Sequence, residues 1–90
     1  MYEVLYSDEV IKEDFPKIGE PWKSKIRKAI ESKLMVSPEV YGKPLRRSLR
    51  NYRKLRVVDY RVVFRAEKQK VKIFVIQHRT VVYSTASKRL

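Results

Sequence analysis

Ninety residues carry 22 Lys/Arg against 10 Asp/Glu, a formal charge of +12, with 43% hydrophobic residues and two glycines. That is the composition of one folded domain, residues 1–90, with no room for a second, and it excludes a disordered chain. Zero cysteines exclude disulfides and thiolate metal sites, and a single histidine cannot form a histidine metal cluster, so no cofactor is expected.

Tyr2 to Tyr6 reads as a short strand, and Ser7-Asp8 as a helix start with acids in its first turn. Val10, Ile11 and Phe15 keep helical spacing until Pro16 interrupts, giving a short or kinked helix that ends near Ile18. After Gly19, Pro21 takes an early helical position. Trp22, Ile26, Ala29, Ile30 and Leu34 follow on one stripe of a second helix ending before Pro38. Residues 38–51 contain two prolines, a glycine and little period, so they read as a connecting loop anchored by Leu45 and Leu49. Three strands follow at about 52–58, 60–66 and 70–77, with tight turns at Val58-Asp59 and Lys68-Gln69, and the tail from Arg79 is a strand end or a short helix. The pattern is an α+β chain, β-α-α-β-β-β, in which a helical hairpin packs on an antiparallel meander.

No apolar run approaches the ~18 residues of a membrane span, and the first ten residues carry acids where a signal peptide carries Lys or Arg. A soluble, cytoplasmic protein without a membrane partner is expected. The charge is unevenly distributed: residues 1–42 hold seven basic and eight acidic side chains, residues 43–72 twelve and two, and residues 73–90 three and none. A polycationic half of this kind calls for nucleic acid or a strongly acidic protein as counterpart.

Side chains alternate faces along a strand, so register sorts the cations. A first hairpin centred on Val58-Asp59 sets Arg56 opposite Arg61, Lys54 opposite Val63 and Tyr52 opposite Arg65 on one face. Leu55 with Val62, Arg53 with Phe64 and Val57 with Tyr60 lie on the other. A second hairpin centred on Lys68-Gln69 sets Val62 opposite Val75 and Phe64 opposite Ile73 on the apolar side, Arg65 opposite Lys72 and Arg61 opposite Ile76 on the basic side, and gives His78 the basic parity. One face is then a core under the helices, with Arg53 at its rim. The other gathers Lys54, Arg56, Arg61, Arg65, Lys72 and His78. Like charges facing each other destabilise a sheet by several tenths of a kcal/mol per pair, and phosphates would relieve that repulsion. The alternative is that the long stems splay into water and cover Val63 and Phe74.

The string KPLRRSLRNYRKLRVVDYRVVFR, followed by a Val/Ile-rich strand and then HRTVVY, resembles the RelE/ParE toxin superfamily, and more closely its RelE-type messenger RNA interferases. The likeness covers nearly the whole chain. It implies a RelE-like fold and the toxin of a type II toxin–antitoxin system: a metal-independent endoribonuclease that enters the A site of the 30S ribosomal subunit. There it cleaves mRNA by 2′-hydroxyl attack, leaving 2′,3′-cyclic phosphate and 5′-hydroxyl ends, and an acidic RelB-like antitoxin holds it inactive. Position by position, the resemblance implies that Lys54 and Arg61 stabilise transition-state charge. Arg79 binds phosphate or acts as general acid, Tyr83 stacks a base or activates the 2′-hydroxyl, and His78 serves as acid or base. Arg46, Arg47, Arg53, Arg56, Arg65 and Lys72 are expected to add RNA contacts.

Two departures stand out. Tyr52 replaces a second family lysine, and Val58 replaces a turn glycine, which suggests a turn wider than two residues. Asp59 and Glu67 are the only side-chain carboxylates from residue 43 onward, so a carboxylate base would come from the N-terminal half, with Glu39 as a candidate. A ParE-like gyrase inhibitor and a plain nucleic-acid-binding domain are the alternative readings.

Overall fold

The computed structural model describes residues 1–90, and alternation of apolar side chains builds its centre. β3 (Arg53–Val57), β4 (Tyr60–Glu67) and β5 (Lys70–His78) form two successive hairpins. The first has the expected register, with Arg56 opposite Arg61, Lys54 opposite Val63 and Arg53 opposite Phe64. The wider turn that Val58 suggests does not form: two residues close the hairpin, and Val58 takes a φ of 54° that ordinarily belongs to glycine. At the second turn Lys68 and Gln69 both have positive φ, 51° and 66°, the backbone twist that suits a two-residue hairpin loop.

The second hairpin departs from the even register. Arg65–Lys72 and Phe64–Ile73 pair as expected, but a bulge at Val63/Phe64 shifts the rest by one residue, so Val62 faces Ile76, Arg61 faces Gln77 and Tyr60 faces His78. Phe74 is the extra residue. The cause is chemical: Ile73, Phe74, Val75 and Ile76 are all apolar, and both sides of the sheet here are buried. A shift therefore costs no exposed hydrophobe. Its consequence is large, because His78 moves to the side of Tyr60 and Val57, away from the basic face.

The remaining elements complete a sheet of order β1-β5-β4-β3-β2. β1 (Glu3–Tyr6) pairs in parallel with the first half of β5, from Glu3–Lys70 to Tyr6–Ile73. Between them the chain first winds a wide helical turn, Val10–Asp14, and a tight one, Phe15–Lys17, as Pro16 breaks regular hydrogen bonding. Next comes α1 (Glu20–Ala29), started at Gly19 with Pro21 in its first turn and extended by a wide turn over Ile30–Leu34. Ile26, Ile30 and Leu34 are fully buried against Leu55, Val62, Phe64, Ile73 and Ile76, as the stripe requires, whereas Trp22 stays 38% exposed. Residues 38–51 are more structured than a loop: α2 (Pro38–Tyr41), a two-residue edge strand β2 (Lys43–Pro44) paired with Arg53 and Lys54, and a 3₁₀ turn at Arg47–Leu49. The short, proline-broken elements leave no period to read.

The second face is not purely basic. The tail forms α3 (Val82–Arg89), which lays Val82 and Ala86 on Val63 and Val75, with Leu45, Leu49, Tyr52, Phe74 and Leu90 around them. Helix, rather than arginine and lysine stems, covers Val63. The cations are thereby divided into two groups on either side of α3. No helix is long and apolar enough to cross a membrane.

Candidate nucleic-acid interface

Because β2 is only two residues long, it covers β3 at Arg53 and Lys54 and leaves the edge beyond them open. A cleft of about 360 Å³ forms there, lined by Lys33, Tyr41, Lys43, Lys54, Arg56 and Arg61 and by no carboxylate. Val57–Tyr60 closes the turn as a hydrogen-bonded pair, so Arg56 and Arg61 form the closer, non-hydrogen-bonded type, with Cα atoms about 4.5 Å apart. Arg61 turns its guanidinium to the hairpin tip, donating from Nη1 to the carbonyl oxygens of Val58 (3.0 Å) and Tyr60 (2.9 Å). On the other flank the Lys54 ammonium lies 5.5 Å from the centre of the Tyr83 ring, which α3 presents from its first turn. Lys33, 5.8 Å from the Tyr41 ring, and Lys43 complete the cleft. Neither lysine stands out in the sequence, since it takes the open β3 edge to bring them to Arg56.

The other expected residues fall in different places. Arg79 is at the hairpin tip: its N–H donates to the Asp59 carbonyl at 2.8 Å, and its Nε lies 3.6 Å from the Asp59 carboxylate in an exposed pair. Such a pair holds a side chain only loosely. His78 lies across the sheet from the cleft, its ring centre 6.0 Å from that of Tyr60. Its Nδ1 accepts the Thr80 N–H at 3.3 Å and is 2.9 Å from the Thr80 hydroxyl. A backbone N–H can only donate, so the neutral ring carries its proton on Nε2.

Arg53 serves the fold, donating to the carbonyl oxygens of Gly42 (2.8 Å) and Glu39 (3.4 Å) at the end of α2. Arg65 and Lys72 sit beyond α3, both against Glu67 at 3.4 and 3.9 Å, with Arg65 6.0 Å from the Tyr52 ring. Arg46 and Arg47 are exposed beside the 3₁₀ turn. No three His, Asp or Glu side chains group so as to hold a metal ion.

Sequence reading misses the pair that fixes α3. Asp14, 1% exposed, accepts the Ile76 N–H and the Gln77 amide, each at 2.9 Å, where β1 has ended and the edge of β5 would otherwise be bare. Arg89 donates to both of its oxygens and to the Phe74 carbonyl. The Asp14 hydrogen bond pushes the Arg89 guanidinium still higher than its ordinary value. Gln77 also accepts the Thr85 hydroxyl at 2.6 Å. Two separated charged residues with ordinary neighbours give no local signal, yet together they lock the helix that carries Tyr83.

Sequence comparison with curated proteins finds no match. Solved structures match over nearly the full chain. The toxin–antitoxin complex RelBE2 of Mycobacterium tuberculosis is 26% identical, covers 87% of this chain and 98% of its own, and has a TM-score of 0.80. Escherichia coli RelE, solved with a RelB antitoxin peptide, is 26% identical over 99% of this chain and 97% of its own, TM-score 0.66. The RelB–RelE complex of Methanococcus jannaschii shares the fold at 18% identity, covering 90% and 96%, TM-score 0.69. The family model described as the ParE toxin of the type II toxin–antitoxin system, parDE, matches residues 4–83. With the basic hairpin, the two-sided sheet and that match over nearly its whole length, the chain belongs to the RelE/ParE superfamily of type II toxin–antitoxin toxins.

Proposed function

We propose that the toxin is a ribosome-dependent endoribonuclease that acts in the cytoplasm, cutting mRNA in the A site without a metal ion. The observation that carries this reading is the placement of Lys54 against Tyr83 beside the Arg56–Arg61 pair, in a cleft without carboxylates. The 2′-oxygen attacks the adjacent phosphorus as its proton leaves to a base or to water, the bond to the 5′-oxygen breaks and that oxygen takes up a proton, and the products are a 2′,3′-cyclic phosphate and a 5′-hydroxyl. Lys54 and Arg61 offset the charge that develops on the phosphorane. Tyr83 supplies a ring for stacking and a hydroxyl beside the 2′-proton. Arg79, loosely held by Asp59, swings to the phosphate and supports the leaving oxygen. His78 has no part in this cleft. Arg46, Arg56, Lys43 and Lys33 extend the electrostatic track, while Arg53 is committed to α2. A cognate acidic antitoxin of the RelB type competes for the same cations, as the antitoxin complexes of the M. tuberculosis and E. coli neighbours suggest.

The family model's ParE description supports a second reading, inhibition of DNA gyrase without cleavage. Purified protein incubated with programmed ribosomes, with mapping of messenger 5′ ends, separates the two. New 5′ ends that disappear in Arg61→Ala and Lys54→Ala support the nuclease. Uncut messenger together with inhibited gyrase supercoiling refutes it.

A further inference from the structure

On the helix side of the same hairpin end lies a pocket that the cleavage chemistry does not use, and the bulge in β5 is what puts His78 in its wall. Its volume is about 260 Å³, and its walls include Lys17, Ile18, Tyr60, His78 and Val81. That is smaller than the ~300 Å³ at which drug-sized ligand sites begin, and of a size for one planar ring. The rings of Trp22, Tyr60 and His78 follow one another across this side, with centres 6.2 and 6.0 Å apart and planes inclined by 42° and 79°. Lys25 lies 5.0 Å from the Trp22 ring at one end of the series. Asp14 and Gln77 reach the pocket but are spent on Arg89, Ile76 and Thr85. Lys17, the Tyr60 hydroxyl and Nε2 of His78 are left to meet a ligand, and none of them is anionic.

Aromatic rings edged by cations on a chain of +12 charge are the means by which proteins hold unpaired nucleotides. Tyr60 and Arg61 are neighbours on β4 and point to opposite faces, so the pocket and the cleft are two sides of one strand end, joined over the tip that bears Arg79. The geometry points to a second RNA subsite here: a nucleotide flanking the one in the cleft stacks its base on the His78 ring, with Tyr60, inclined at 79° to that ring, meeting the base edge-on, and offers its phosphate to Lys17. That this nucleotide flanks one in the cleft rests on the cleavage reading, whereas the pocket's affinity for a nucleotide does not.

Trp22 is the only tryptophan, so its fluorescence reports on these rings. Adenosine 5′-monophosphate is titrated into full-length protein whose cleft is disabled by Lys54→Met with Arg61→Met. Saturable quenching is expected, weakened about tenfold by Lys17→Gln or His78→Gln. Lys17 is exposed, so its variant carries the test should the histidine change disturb folding. A fully 2′-O-methylated single-stranded RNA, which cannot be cut by 2′-hydroxyl attack, should bind the intact protein and lose affinity with Lys17→Gln. Absence of quenching in the cleft-disabled protein, or quenching indifferent to both pocket substitutions, overturns the subsite and leaves the cleavage reading standing. Quenching that behaves as expected in a protein that never cuts messenger would retain the subsite and reject the nuclease.

Discussion

Arg89 donates to both carboxylate oxygens of Asp14 at 2.9 Å, joining side chains 75 residues apart in the chain. Asp14 is buried, so removing the arginine strands a charge inside the protein. Arg89→Met should therefore cost about 3–5 kcal/mol in urea unfolding. Adding Asp14→Asn should recover part of the loss, because the amide oxygen can still accept the Ile76 N–H without a buried charge. Equal stability of the single and double variants would show that the pair is not what holds α3.

Lys54 meets Tyr83 on the helix that this pair helps to hold, and their substitution separates charge from stacking. If the proposed cleavage is right, loss of the ammonium in Lys54→Met should lower single-turnover cleavage on ribosomes about 10²–10³-fold, the range for removing one transition-state charge donor. Tyr83→Phe keeps the ring and removes the hydroxyl. If stacking is its whole role, the phenylalanine variant cuts like wild type and only Tyr83→Ala is slow. If the hydroxyl handles the 2′-proton, both are slow at saturating ribosome concentration.

The first hairpin was legible in the sequence down to each residue pair, because Leu55, Val57, Val62 and Phe64 alternate with Lys54, Arg56, Arg61 and Val63 and a two-residue turn preserves that parity. The second hairpin was legible only up to Phe64–Ile73. Four consecutive apolar residues carry no parity, so the bulge was invisible, and one residue of slip sent His78 to the wrong face. The helical stripe of Ile26, Ile30 and Leu34 read correctly, while the short pieces of residues 38–51 and the long-range Asp14–Arg89 bond had no local period to betray them. The cleft was legible as a charge imbalance and as Lys54, Arg56 and Arg61 on one face, but not as a shape.

Val58 holds a positive φ without being glycine. The left-handed conformation costs a Cβ-bearing residue about 1–2 kcal/mol, and glycine gives back roughly 0.5–1 kcal/mol in chain entropy. Val58→Gly should thus raise stability by up to about 1 kcal/mol, seen as a higher urea midpoint at unchanged m-value. The Val58 carbonyl remains available to Arg61, so the proposed binding of RNA in the cleft should be unchanged.

The Tyr2 hydroxyl donates to Glu39 at 2.8 Å and ties β1 to α2. This bond holds the Glu39 carboxyl below its ordinary value near 4.5 and raises the Tyr2 phenol above 10.0. A depressed carboxyl contributes stability above its unfolded pKa and loses it as pH falls through the folded one. A raised phenol contributes below its unfolded pKa and loses it as pH rises through the folded one. The stability difference between wild type and Tyr2→Phe should therefore be flat across neutral pH and shrink below pH 4.5 and above pH 10. Denaturant melts across that range check it, and a difference that grows at either end would contradict the bond's role.

Gly42 has an ordinary φ of −89°, so its lack of a side chain serves space rather than backbone freedom. A Cβ there would press into the ring of Phe64 and stand 2.9 Å from the Pro38 carbonyl oxygen. Phe64 is fully buried beneath α1, and the Pro38 oxygen accepts the Gly42 N–H, so neither can yield freely. Gly42→Ala should cost about 1–3 kcal/mol by overpacking. The strain would be relieved by lifting α2 and β2, which would move Tyr41 and Lys43 away from Arg56 and widen the cleft. Amide hydrogen exchange should accordingly quicken at Val40, Tyr41 and Gly42 before it does in β4 and β5. Pairing the substitution with Phe64→Leu should restore much of the lost stability if the ring is the obstacle, and none of it if the glycine is needed for another reason.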